Sequence, residues 1–381
     1  MDFIDPIFNM HKVKFDIMDK WNFIDRGVTR VNVYINLENV FRIIMTPRTN
    51  NFLQAAASVD ESDDYMKKFS LSLVSNIINL GQHYRLWVTK HNLGSRIILY
   101  WNYPIPEEYK NKYYLPTYRT NHNDRYRKGN METATLIDCL ENAYKFLQVC
   151  IQYINEVYLI NPMGIEASLI PLLLQREVYQ DDGVNTMNIL VSNNAYEYSY
   201  VNYGFKIIQP SIKKKEPVLI TDKNVIEVLK KKHGVSTVLS APTNFLEFIN
   251  AVMGDSDRSI PKLSGVGIAT ILKMIDMAID KGLITETTKE TEMLLPILKK
   301  DLASIFERNY HCTNLSYQLR DIEPVEIHKI KSCIVDKYDD NTLNEMNEKY
   351  CKLFPLEIIK PKSQQVLYDS EYSGASIFSK R

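Results

Sequence analysis

Apolar residues in this chain fall into short runs separated by helix-length amphipathic stretches. The segment Val31-Asn32-Val33-Tyr34-Ile35-Asn36-Leu37-Glu38-Asn39-Val40-Phe41 reads as a first buried strand, and Ile97 to Trp101 as a second. Tyr65 to Leu80, between them, has the spacing of an amphipathic helix. Long helices are predicted from Met131 to Tyr158 and from Glu166 to Arg176. More helix is expected within about Val225 to Leu283, over Pro296 to Glu307 with proline in the first turn, and around Asn341 to Leu353. Strands interleaved with helices of this length predict an α/β protein with a central, mostly parallel sheet and helices on both faces. The division expected is an N-terminal extension over 1–30, a core over 31–224, a helical subdomain over 225–300, and a C-terminal extension over 301–381. Its last part, Ser363 to Arg381, is polar with isolated tyrosines, and leaves a disordered tail and a partner-docking peptide both open.

One stretch carries more information than the rest: Gly254-Asp255-Ser256-Asp257-Arg258-Ser259-Ile260-Pro261-Lys262-Leu263-Ser264-Gly265-Val266-Gly267, which opens into a helical run. Two glycines that can take positive φ predict a turn that aims backbone N–H groups outward at a helix N-terminus. Such a turn is a ready site for a phosphate oxygen, often helped by a monovalent cation such as potassium, and it needs no particular base. Gly-Val-Gly alone is an ordinary interhelical turn; the octet before it changes the reading.

That octet resembles the Gly-Asp-Ser-Ser-Asp-Asn-Ile-Pro signature of the structure-specific 5′-nucleases, the family of flap endonucleases and of the 5′-exonuclease domain of bacterial DNA polymerase I. Leu115-Pro116-Thr117-Tyr118-Arg119-Thr120-Asn121-His122, followed by Arg125, Arg127 and Lys128, is similar to the family's Pro-x-Tyr-Lys-x-Asn-Arg segment. Gly164-Ile165-Glu166-Ala167-Ser168-Leu169 resembles its Glu-Ala-Asp-Asp motif, and the strand from Val31 falls where the family begins its first buried strand. The resemblance implies a PIN-like core over 31–224 and a helix–three-turn–helix subdomain over 225–300 that grips duplex DNA. It places DNA contacts at Leu263, Ser264, Gly265, Val266 and Gly267, and at Tyr118, Arg119, Asn121, Arg125, Arg127 and Lys128.

The family's chemistry needs a carboxylate cluster, because divalent ions must be held close together to activate a water and stabilise the leaving oxygen. Here most of that charge is missing. The position that ends the first strand carries Asn36, and the one that ends the second carries Asn102. Glu166 is kept, but Ser168 and Leu169 replace the two following aspartates. The Gly-Asp-x-Asp segment corresponds to Ile189 to Tyr196, with Asn194 and Tyr196 at ligand positions. Asp255 is kept, whereas Arg258 stands where the second aspartate belongs. Two remnant carboxylates, Glu166 and Asp255, would bind magnesium weakly if at all. The chain therefore reads as a catalytically inactive relative. The competing possibility is a shifted register in which Glu38, Asp181, Asp182, Glu197 or Asp257 substitute.

Composition adds bounds. The chain has 381 residues, 45% hydrophobic, enough for a substantial core. Net charge is zero, so DNA contact would rest on local patches: Arg119 to Lys128, and the triplets Lys213-Lys214-Lys215 and Lys230-Lys231-Lys232, which read more simply as solvated faces. The five cysteines lack metal spacing and read as reduced thiols, and the seven histidines form no ligand cluster. No apolar run reaches membrane-spanning length, which predicts a soluble, cytoplasmic protein without a membrane partner. Abundant Asn, Lys, Ile and Tyr suggest a low-GC genome, and a bacteriophage source fits it.

Three functions follow. The first is a non-catalytic subunit that holds duplex or branched DNA, without sequence preference, for protein partners in a replication, repair or transcription complex. The second is a protein-interaction scaffold that has lost DNA binding, for which the 24 tyrosines offer contact surface. The third is an active metal-dependent 5′-nuclease.

Overall fold

The structure is a computed structural model, which describes residues 5–37, 40, 62–101, 143–144, 146–151, 154, 156–161, 165–179, 184–210, 216–235, 245–255, 260–283, 285, 302–320, 327–328, 341 and 345. Within them, Asp5–Asn9 (α1) and Phe15–Trp21 (α2) precede the first strand, Arg30–Asn36 (β1). Helix α3 (Ser62–Lys90) leads to β2 (Gly94–Tyr100). Strand β3 (Val157–Ile160) is followed by a stepped helical run: one 3₁₀ turn (Ala167–Leu169), a short α4 (Ile170–Leu173), and a π turn (Leu174–Val178). Strand β4 (Thr186–Val191), a 3₁₀ segment (Ala195–Tyr203), β5 (Phe205–Gln209) and β6 (Val218–Ile220) complete the sheet. Helices α5 (Val225–His233), α6 (Phe245–Met253), α7 (Ile268–Asp280), α8 (Ala303–Thr313) and α9 (Leu315–Arg320) follow.

Six strands form one sheet in the order β3-β2-β1-β4-β5-β6, parallel throughout except for the β5–β6 pair. This is the expected mostly parallel α/β architecture. Because strand side chains alternate, Val31, Val33 and Ile35 enter one core while Tyr34 enters the other. The first core holds α1–α3 and the 143–154 segment; the second holds the stepped run, the 3₁₀ segment and α5–α9. Strand β1 lies in the middle, and each residue from Val31 to Asn36 is buried, as a strand covered on both faces requires.

Two details differ from the sequence reading. Helix α3 runs to Lys90, well past the predicted Leu80, because Tyr84, Trp87 and Val88 continue its buried stripe. Val157 and Tyr158 belong to β3 and not to a helix: Ile97 donates its N–H to Glu156 O at 2.7 Å, and β2 templates the strand. Ahead of β1, Phe8, Val13 and Met18 are fully buried against α3. Asp19 fastens this segment, accepting from Trp87 Nε1 at 2.9 Å and pairing with Lys90 at 2.6 Å. Hydrogen bonds from Lys90, then Trp87 and His91, hold its carboxyl down to about 2. Cys150 and Cys312 are buried. Among the described residues no helix is long and apolar enough to cross a membrane.

The α1–α3 contact contains two histidines that burial keeps neutral. Burial lowers His11 and His83 from 6.5 to about 4, and His83 Nε2 lies 2.8 Å from Val13 O. An exposed histidine in the unfolded chain protonates near its ordinary value, about 6.5. The unfolded state therefore binds more protons between the two values, and stability is whole above about pH 6.5 and falls as the pH drops toward 4. Thermal melts at about pH 7 and about pH 5 are expected to show a lower midpoint in acid, with His11→Phe reducing the difference. Equal midpoints would contradict the burial of these rings.

Candidate functional site

The chain runs outward from β1 to β2 and β3, then returns to place β4 on the other side of β1. The carboxyl ends of β1 and β4 therefore flank the point where strand order reverses, the usual position of a binding crevice in a parallel sheet. Asn36 ends β1 there, and Ser192 follows β4.

A buried carboxylate joins the two strand ends. Glu197, 4% exposed, accepts from Asn36 Nδ2 at 3.3 Å and from the Ser192 hydroxyl on its other oxygen. Ser192 Oγ in turn accepts the N–H of Asn194 at 2.9 Å. Asn194 caps the 3₁₀ segment, its Oδ1 accepting from Tyr196 N–H at 3.1 Å. The carbonyl of Tyr196 takes a bond from Asn250 Nδ2 on α6 at 3.0 Å, which ties the loop after β4 to α6. Of the predicted positions, Asn36 enters this cluster directly, and Asn194 and Tyr196 build the turn that aims Glu197 inward. Ser192 and Asn250 were not singled out by sequence. Ser192 could have been, as a lone hydroxyl directly after an apolar strand.

The other predicted positions divide. Glu166 is buried and starts the 3₁₀ turn after β3, its carbonyl accepting from Leu169 N–H at 2.8 Å. Ser168 accepts from the Tyr200 hydroxyl through its backbone carbonyl. Leu169 is buried in the apolar core. Asp255, 4% exposed, follows the end of α6 and pairs with Ile260 through two backbone bonds of 2.9 and 2.8 Å. Asn102, Arg258, Tyr118, Arg119, Asn121, Arg125, Arg127 and Lys128 lie outside the described residues, as do Glu38, Asp181, Asp182, Asp257 and the lysines at 213–215. In the second lysine triplet, Lys230 is buried and paired with Glu227 at 2.7 Å, and Lys232 sits over the Tyr198 ring.

The hairpin is built around two constrained glycines. Gly254 has φ +58, and a Cβ there would lie 2.6 Å from the backbone of Ile260, Pro261 and Lys262. Only glycine lets the two arms approach this closely. Leu263 is buried and donates its N–H to Val252 O at 3.0 Å; Ser264 and Gly265 are exposed. Gly265 has φ +73, but Gly267 does not share it. At φ −102 and ψ 165, Gly267 is the extended N-cap of α7, a conformation open to any residue, which corrects the expectation of two left-handed glycines. A glycine cap brings no side chain to the first turn of α7, where Ala269 and Thr270 are exposed, so the amides there open to solvent.

No group of three His, Cys, Asp or Glu side chains among the described residues is placed to hold a metal. At the ends of β1 and β4 an amide donor and a hydroxyl donor bond the two oxygens of Glu197, and the amide of Asn36 adds no negative charge there.

No protein-family model matches the chain, and no curated protein sequence matches it. Among solved structures, it is similar to the bacteriophage T5 D15 protein co-crystallised with metal ions. That match has 15% identity and TM-score 0.52, and covers 83% of this chain and 99% of that one. A second structure, the bacteriophage T5 D15 flap endonuclease as a pseudo-enzyme–product complex with DNA and metal ions, matches with 14% identity and TM-score 0.48. It covers 85% of this chain and 99% of that one. The shared architecture is the PIN-like 5′-nuclease fold.

Asn36→Asp would set a second carboxylate against Glu197 and is expected to destabilise the protein in chelator by about 2 kcal/mol. Added magnesium or manganese should restore the melting temperature. An unchanged midpoint in chelator would mean that Asn36 does not satisfy Glu197. Gly254→Ala is expected to cost roughly 3 kcal/mol in denaturant unfolding, through positive φ and the backbone clash, while Gly267→Ala, at an extended N-cap, costs about 1 kcal/mol. Equal losses at the two glycines would contradict this hairpin geometry.

Proposed function

We propose that this protein is a catalytically inactive 5′-nuclease-like protein that binds duplex or branched DNA as a non-catalytic subunit of a replication, repair or transcription complex. The observation that supports an inactive site is Asn36, which at a position where the family carries an aspartate donates its amide to the buried Glu197. Leu169 packed in the core at another acidic position supports the same reading.

Support for DNA binding comes from the signature resemblance at Gly254 to Gly267 and from the geometry of that hairpin, read as part of a helix–three-turn–helix element. Its exposed Ser264-Gly265 turn precedes the uncapped N-terminus of α7, where backbone amides and the helix dipole favour a phosphate oxygen. Such contacts carry no base preference. A potassium ion at the turn and the Arg119 to Lys128 segment belong to the same reading, as do a bacteriophage source and a place in the host cytoplasm.

Incubation with end-labelled flap and duplex DNA in magnesium or manganese tests both parts, by gel retardation and cleavage in the same lanes. Retardation without cleavage is expected, falling steeply with added salt and lost in Gly265→Val, whose branched side chain cannot sit at φ +73. Cleavage abolished by Glu166→Ala or Asp255→Ala would overturn the inactive reading. Neither retardation nor cleavage would replace the DNA reading with a protein-interaction scaffold.

A further inference from the structure

The last carbonyls of α6 are satisfied one by one. Asn250 O accepts from Gly254 N–H at 3.0 Å, and Val252 O accepts from Leu263 N–H at 3.0 Å. Ala251 O, between them, accepts from outside the hairpin: Asn309 Nδ2 on α8 reaches it at 2.9 Å. The same nitrogen lies 2.6 Å from Pro261 O, on the opposite arm of the hairpin. One side-chain amide thus bonds the helix end and the returning arm together. Asn309 is fully buried, and with a carbonyl on each side only its NH₂ group can face them.

Among the described residues the arms are also joined by the Asp255–Ile260 pair, the Leu263–Val252 bond and the close backbone contact at Gly254, while Ile260 and Leu263 are buried. The arm that Asn309 grips at Pro261 runs directly through Leu263 to the exposed turn at Ser264-Gly265 and the N-terminus of α7. Helix α8 is itself fixed against α6, with the Phe306 and Phe248 rings 5.0 Å apart. At its far end Asn314 donates to the buried carboxylate of Glu247.

We infer that Asn309 is a positioning residue for DNA binding: from the C-terminal helix α8 it holds the α6–α7 hairpin in the pose that presents the α7 amides to phosphate. The inference rests on the DNA reading above, and adds that α8 is part of the binding apparatus although it carries no recognisable DNA-binding motif. Without the strap, Ala251 O and Pro261 O lose their shared donor, and the arm through Pro261 is free to drift from α6. The turn would then have to be ordered by the DNA itself, at a cost in affinity.

The test compares Asn309→Ala with Phe306→Leu, which weakens α8 packing but leaves the strap, in the full-length protein at a temperature where both are folded. Loss of a buried two-acceptor bond is expected to speed hydrogen exchange of the Leu263 amide and lower affinity for labelled duplex DNA, each by about tenfold. Phe306→Leu should lower the melting temperature yet bind DNA within about twofold of wild type. Asn309→Ala that binds DNA as Phe306→Leu does, with matching exchange at Leu263, would overturn the inference and leave Asn309 a structural residue only. If wild-type protein retains no DNA, the DNA reading fails instead. Exchange at Leu263 then decides whether Asn309 holds the hairpin: faster exchange than in Phe306→Leu upholds the strap, and equal exchange overturns it.

Discussion

A carboxylate withdrawn from water must find compensating donors or charge, or it destabilises the fold that buries it. Glu197 sits under that constraint at the reversal point of the sheet, and the structure answers it with Asn36 from β1 and Ser192 from β4. Much of the local architecture follows from this pairing. It links the ends of two adjacent parallel strands, requires the Asn194-capped turn that brings Glu197 inward, and through Asn250 engages α6. An acidic crevice would instead need cations to relieve repulsion among its carboxylates. An amide at Asn36 supplies a donor where a carboxylate would repel Glu197, so the protein satisfies that buried charge from within.

The same economy of donors organises the second half of the molecule. Glu247, also buried, accepts from Tyr203 at 2.7 Å, from the Leu315 N–H at 3.3 Å and from Asn314, and so joins the 3₁₀ segment, α6 and the α8–α9 junction. Burial, then the neighbouring Glu247 charge, raises the Tyr203 hydroxyl well above its ordinary value, which keeps it a donor. Asn309 completes the pattern at the other end of α6. Helix α6 is thus held along its length by polar groups from elements distant in sequence, and the hairpin at its end inherits that rigidity. Together with the burial of Leu263 and Val266, this holds the turn in one shape.

Legibility followed the range of the interaction. The β1 and β2 strands, the helix after Glu166 and the helices around the hairpin were readable because hydrophobic period and cap residues act within one element. Strand β3 was not: its residues continue an apolar, helix-compatible run, and pairing with β2 decides their conformation. The extension of α3 to Lys90 escaped for a related reason, since its last turns are ordered by α1 and α2, through Tyr84 to His11 O and Trp87 to Asp19. At the site, the residue types at Asn36, Ser168, Leu169 and Asn194 could be read position by position. That Glu197 would be turned toward Asn36 could not, because 161 residues separate the partners.

By itself, the sequence determined the α/β class and the glycine-bounded hairpin, both consequences of local chemistry. Only the tertiary structure decided which carboxylate fills the crevice, which of the two turn glycines is left-handed, and that a C-terminal asparagine holds the hairpin shut. Those outcomes depend on donors and acceptors brought together by strand order and helix packing. A buried polar group accepts whichever partner the fold delivers, and the chain's linear order does not say which one that is.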